Sequence, residues 1–128
     1  KQPPVEETVE LVMQIVREKK IGDHCYLQSF DFRPLQILNR KYPDITTAVL
    51  IGGNDPRTFE QQLTDLGYTP EMYSPHYSVV TAELVKKCHD RNIKLIPWTV
   101  NTLEEMKKLK ELGVDGIITD YPNYFAEL

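Results

Sequence analysis

The most restrictive feature of this sequence is a regular exchange of short apolar runs with amphipathic stretches of helical period. Thr47–Ile51 (TAVLI) is almost continuously apolar and is broken at once by Gly52-Gly53. Tyr26–Phe30, Met72–Ser74, Lys94–Val100 and Gly116–Thr119 are further runs of strand length. Their apolar positions do not alternate with polar ones, as expected of parallel strands covered on both faces. Between them lie helical patterns. Val5, Val9, Val12, Met13 and Val16 recur at helical spacing after Pro3-Pro4, and Gly22 falls where a left-handed stop is expected. Asp31 can cap a helix with Pro34 in its first turn, Leu35 and Leu38 buried, and Pro43 at its end. Asp55-Pro56 opens a helix with Phe59, Leu63 and Leu66 on one face, closed by Gly67. Thr81 caps a helix bearing Leu84, Val85 and Cys88. Thr102 and Glu105 form a capping box ahead of Met106 and Leu109, and Gly113 ends that helix.

Strand–helix order with right-handed crossovers leaves two architectures, an open doubly wound sheet and a closed (β/α)8 barrel. A complete barrel takes about 250 residues, so the 128 residues of this chain match half of one. A doubly wound domain ordinarily begins with a strand, whereas this chain begins with a helix. No G-x-G-x-x-G loop follows any strand, which argues against dinucleotide binding. The expectation is α/β: the C-terminal half of a TIM barrel over residues 1–128, with four to five parallel strands alternating with helices.

An apolar content of 41% can supply a core, and a net charge of −4 with both signs interspersed offers no basic patch for nucleic acid. No apolar run approaches the roughly 20 residues of a membrane span. Cys25 and Cys88 are far apart and read as free thiols.

Barrel chemistry sits at the C-terminal ends of the strands. This chain places Ser29 and Phe30 there, then Gly52-Gly53, His76, Trp98 with Asn101, and Asp120. Trp98, the sole tryptophan, reads either as a flat apolar wall for a ligand or as core packing. Phe30 presents the same choice. Ser29 can donate to a phosphate oxygen or satisfy local backbone, and the residues alone favour the latter. Asp120 before Tyr121-Pro122 reads as a turn cap. His24, His76 and His89 form no ligand set, and metal ligation from this chain has no support in its spacing.

Three passages together are more specific: Leu27–Phe32 (LQSFDF), Leu95–Asn101 (LIPWTVN) and Gly113–Pro122 (GVDGIITDYP), with Tyr73–Tyr77 (YSPHY) between them. Their order and spacing resemble those of glycerophosphodiester phosphodiesterases, over essentially the whole chain. The resemblance implies a TIM-barrel phosphoric diester hydrolase that converts glycerophosphodiesters to an alcohol and glycerol 3-phosphate. It implies a divalent cation, calcium or magnesium. It also implies that Ser29, Phe30 and Trp98 line the substrate pocket, while Asp120 braces the last loop. The family's His-Arg-Gly and Glu-x-Asp motifs do not occur here, and no strand of this chain carries its His-Asp motif or its Glu beside Lys. Metal ligands and acid–base histidines are therefore expected outside this chain, and the chain alone is expected to be inactive. The expected compartment is the cytoplasm, with the periplasm open. Two alternatives stand: a non-catalytic half-barrel that self-associates through its open sheet edges, and a different phosphate-binding barrel enzyme.

Overall fold

A computed structural model of the chain describes residues 5–19 and 26–127. Pro3, Pro4, Gly22, His24 and Cys25 lie outside the described residues. The elements in chain order are α1 (Val5–Lys19), β1 (Tyr26–Ser29), α2 (Phe32–Lys41), β2 (Thr46–Ile51), α3 (Phe59–Leu66), β3 (Met72–Pro75), α4 (Ala82–Asp90), β4 (Lys94–Leu95) and α5 (Leu103–Leu112). Short 3-10 turns follow at Tyr77–Val79 and Pro122–Glu127. The four strands form one parallel sheet in the order β1-β2-β3-β4. Each strand pairs with its successor, so the sheet has no point where strand order reverses. A doubly wound sheet requires such a reversal, and the sequential order is that of a barrel wall.

The helices cover one face of this sheet. Val49, Ile51, Tyr73 and Leu95 point into a core with Leu35, Phe59, Leu66, Val85 and Cys88. Alternate positions such as Ala48, Leu50 and Ser74 face the other way. Helix α1 packs Val9, Met13 and Val16 onto Ile37, Leu38 and Ile45, as its period predicts. Its outer residues Leu11 and Ile15 are more than half exposed. A third cluster seats Val100, Met106 and Leu109 beneath α5.

Several caps form where the sequence places them. Asp31 accepts from the Arg33 amide, Thr81 from Leu84 and Thr102 from Glu105. Gly67 and Gly113 close their helices at φ of 85° and 94°, a region that costs other residues about 1–2 kcal/mol.

Three expectations need correction. The third helix does not open at Asp55-Pro56. The Asp55 carboxylate accepts instead from the Arg57 amide and guanidinium, and Thr58 forms a capping box with Gln61. The stretch Lys94–Val100 forms a ladder only at Lys94–Leu95, followed by a single bridge between Trp98 and His76. Pro75, whose nitrogen faces this segment between the bonds of Ile96 N to Tyr73 and Trp98 N to Pro75, has no N–H to donate to the Ile96 carbonyl, so the ladder is interrupted there. Gly116–Thr119 is not a regular strand. It runs beside the preceding stretch through isolated bonds, Ile118 N to the Pro97 carbonyl (2.9 Å) and Val100 N to the Ile118 carbonyl (2.8 Å).

Asp115 closes the lower end of that seam. Its backbone N donates to the Leu95 carbonyl, and its Oδ2 accepts from the Leu95 amide at 2.8 Å and meets His89 Nε2 at 2.9 Å. The G-V-D-G passage is thus a lock between the last two extended segments.

Candidate functional site at the mouth of the sheet

Parallel strands deliver their following residues to one end, and here that end gathers aromatic groups. Phe30 follows β1, Gly52-Gly53 follow β2, His76 follows β3, and Trp98 lies on the continuation of β4. The backbone fixes them across the sheet. His76 N donates to the Ile51 carbonyl at 2.9 Å, Tyr77 N to the Trp98 carbonyl at 2.9 Å, and Trp98 N to the Pro75 carbonyl at 3.1 Å. The indole then locks itself, with Nε1 donating to the Ser74 carbonyl at 2.9 Å. An indole committed in this way presents its ring as a rigid apolar surface.

Phe30 meets that surface edge-on, with ring centroids 5.5 Å apart and planes at 87°. It remains 56% exposed, so it packs against Trp98 without being buried by the fold. His76 approaches Trp98 from another side, edge-on at 5.1 Å, and stacks on Tyr77 at 4.6 Å. A Cβ on Gly53 would stand only 3.3 Å from the His76 Cβ, Cγ and Nδ1, so the loop after β2 closes directly over the imidazole.

Of the three residues expected to line a pocket, the structure brings Phe30 and Trp98 together. Ser29 stands apart from them. Its Oγ accepts from the Asp31 amide at 3.0 Å, and it borders an apolar cavity of about 160 Å³ between α1, β1 and α2. Asp120 pairs with Asn101, whose Nδ2 donates to the carboxylate at 3.0 Å and whose Oδ1 accepts from the Asp120 amide. Thr119 donates to the same Oδ1 and accepts from the Tyr121 amide. These side chains brace the last loop. His76 is the mouth residue that sequence reasoning underrated; its position after β3 was the available signal.

Among the described residues no three His, Cys, Asp or Glu side chains converge on a point that could hold a metal. The aspartates that follow the strand ends are already engaged: Asp31 with Arg33, Asp55 with Arg57 and Asp120 with Asn101. Arg57 also reaches Asp65 and lies over the Phe32 ring, tying the loop after β2 to α2 and α3. The hydrogen bonds from Arg57 hold the Asp55 carboxyl at about 2, below its ordinary 3.8. The described residues do not by themselves fit a divalent cation.

Sheet, helices and mouth together define the C-terminal half of a TIM-barrel domain. The chain belongs to the glycerophosphoryl diester phosphodiesterase family, whose match spans residues 2–124. It is 35% identical over 121 residues to the uncharacterised YqiK protein of Bacillus subtilis, covering 93% of this chain and 49% of that one. A candidate glycerophosphoryl diester phosphodiesterase of Silicibacter pomeroyi superposes with a TM-score of 0.83 at 30% identity, over 94% of this chain and 42% of its own. A phosphodiesterase of Oleispira antarctica, solved with its product sn-glycerol-3-phosphate, superposes with a TM-score of 0.80 at 21% identity, over 96% of this chain and 49% of its own. The chain spans about half the length of the curated relatives it matches. Among the described residues, no helix is long and apolar enough to cross a membrane.

Proposed function

We propose that this chain forms the substrate-facing wall of a metal-dependent glycerophosphodiester phosphodiesterase, which hydrolyses its substrate to an alcohol and glycerol 3-phosphate. The observation that carries the reading is the Phe30–Trp98 pair, a rigid apolar corner left open at the mouth of a barrel wall. Such a corner suits the carbon skeleton of glycerol, whose C–H faces gain by leaving water. Membership of the family supplies the reaction class. Ser29 serves the corner indirectly, by holding the turn at Asp31 from which Phe30 projects. The cation, calcium or magnesium, and the acid–base histidines belong to residues outside this chain, so the 128 residues alone are inactive.

The test measures glycerol 3-phosphate release by the complete barrel and by the 128-residue chain, each with added calcium or magnesium. Turnover is expected from the former and not from the latter. Trp98→Ala in the complete barrel is expected to raise KM while leaving metal affinity intact. Lost metal affinity would overturn the assignment of Trp98, and turnover by the chain alone would overturn the division of labour.

A second reading, self-association, is favoured by one feature. Among the described residues β1 pairs only with β2, leaving an open edge beside the half-exposed Tyr26. Open edges pair with other chains. A concentration-independent monomer in sedimentation would exclude it.

A further inference from the structure

We infer that His76 is a specificity-determining residue that reads the glycerol moiety, donating from Nε2 to a glycerol hydroxyl. The inference rests on the phosphodiesterase reading and adds a polar contact to its apolar corner. The imidazole is held from several directions. Tyr77 stacks on it, Trp98 meets it edge-on, and Gly53 packs so closely that a Cβ there would press on it at 3.3 Å.

Its neighbours also select the tautomer of the neutral ring. The Ser78 amide points at Nδ1 from 3.2 Å, and the Ser78 hydroxyl lies 2.7 Å from the same nitrogen. An amide N–H can only donate, so Nδ1 is the acceptor and the neutral ring carries its proton on Nε2. Among the described residues Nε2 has no hydrogen-bond partner, in contrast to His89, whose Nε2 is held by Asp115. A donor locked in orientation and left open beside an aromatic wall is a recognition element that loses little entropy on binding.

Its location selects the group it reads. A phosphate is best met by free cations, and the two arginines that follow the first two strands are already paired, Arg33 with Asp31 and Arg57 with Asp55. The carbon skeleton rests on Phe30 and Trp98, and a polyol carries its hydroxyls on those carbons. His76 borders Trp98, where such a hydroxyl emerges. A ligand with the same phosphate but no hydroxyls therefore forgoes this contact.

The test uses the complete barrel enzyme with His76→Phe, His76→Asn and His76→Gln. Phe keeps a ring without a donor. Asn keeps an acceptor for Ser78 with nothing at the Nε2 position, and Gln places an amide donor near that position. Each variant is assayed for KM and kcat with sn-glycero-3-phosphocholine, and for competitive inhibition by glycerol 3-phosphate and by ethyl phosphate. Loss of one neutral hydrogen bond corresponds to roughly a five-fold weakening. H76F and H76N are expected to raise KM and the glycerol 3-phosphate inhibition constant by that factor, with ethyl phosphate inhibition and kcat unchanged, and H76Q to recover most of the loss. Equal weakening toward both phosphates, no weakening toward either, or an H76Q no better than H76F overturns the inference. A wild-type enzyme that releases no glycerol 3-phosphate would instead defeat the phosphodiesterase reading beneath it.

Discussion

Asp115→Ala removes the acceptor that joins the last extended segment to β4. The side chain makes two contacts of unequal worth. The Leu95 amide, on a fully buried residue, donates to Oδ2 at 2.8 Å, while His89 Nε2 lies 2.9 Å away with its ring 43% exposed. A hydrogen bond to a charged acceptor contributes about 1.5–3 kcal/mol, and its loss strands a buried donor. The exposed contact with His89 contributes about 0–1 kcal/mol. Asp115→Ala is therefore expected to cost about 2–3 kcal/mol, and His89→Ala less than about 1 kcal/mol. That is a large share of the roughly 5–15 kcal/mol that holds a domain folded. Urea unfolding followed by Trp98 fluorescence and circular dichroism gives both values. The denaturant slope should stay constant, because neither change alters the surface exposed on unfolding. A double-mutant cycle isolates the pair. If Asp115→Ala and His89→Ala cost the same, the Leu95 amide is not the principal contact and the reasoning fails.

Four further predictions concern the fold. Because Arg57 depresses the Asp55 carboxyl to about 2, the pair stabilises the protein fully above the ordinary carboxylate range and loses that contribution as pH falls from about 4 toward 2. With Arg57 one-third exposed, the effect is discounted to about 1–2 kcal/mol, and acid titration of Arg57→Met should lack it. Burial pushes the Cys88 thiol up to about 12. Its labelling by a disulfide reagent at pH 8, mapped by mass spectrometry, should therefore track unfolding; fast labelling of the native protein would contradict its burial. Gly113→Ala should cost about 1–2 kcal/mol in urea unfolding because of its positive φ. Gly116→Ala should cost less than about 0.5 kcal/mol, since its new Cβ would meet Ile96 at an ordinary 3.7 Å.

The sequence disclosed what depends on neighbours in the chain. The caps at Asp31, Thr81 and Thr102, and the glycine stops at residues 67 and 113, are decided within a few residues, and each was legible. The third helix was misjudged because two local solutions competed. Arg57 claims the Asp55 carboxylate, leaving the reciprocal Thr58–Gln61 box to start the helix. In Lys94–Val100 the apolar pattern predicts a strand, yet Pro75 on the neighbouring strand has no N–H for the Ile96 carbonyl and the ladder ends early. Pairings across long separations left no local trace. His89 and Asp115 lie 26 residues apart, and Trp98 reaches the Ser74 carbonyl over 24. Strand-end position placed Phe30, His76 and Trp98 at one mouth, but their ring geometry depends on how the strands are registered.

The sequential strand order also bears on how the chain acquires its structure during synthesis. β2 completes its pairing with a strand made about twenty residues earlier, and the same holds for β3 and β4. Among the described residues no strand waits for a distant partner still to be translated. Each βα unit can settle on its predecessor as it leaves the ribosome, so loop-closure costs are met in small instalments. The mouth is assembled in the same progression, and its aromatic corner closes only when Trp98 arrives to meet Phe30.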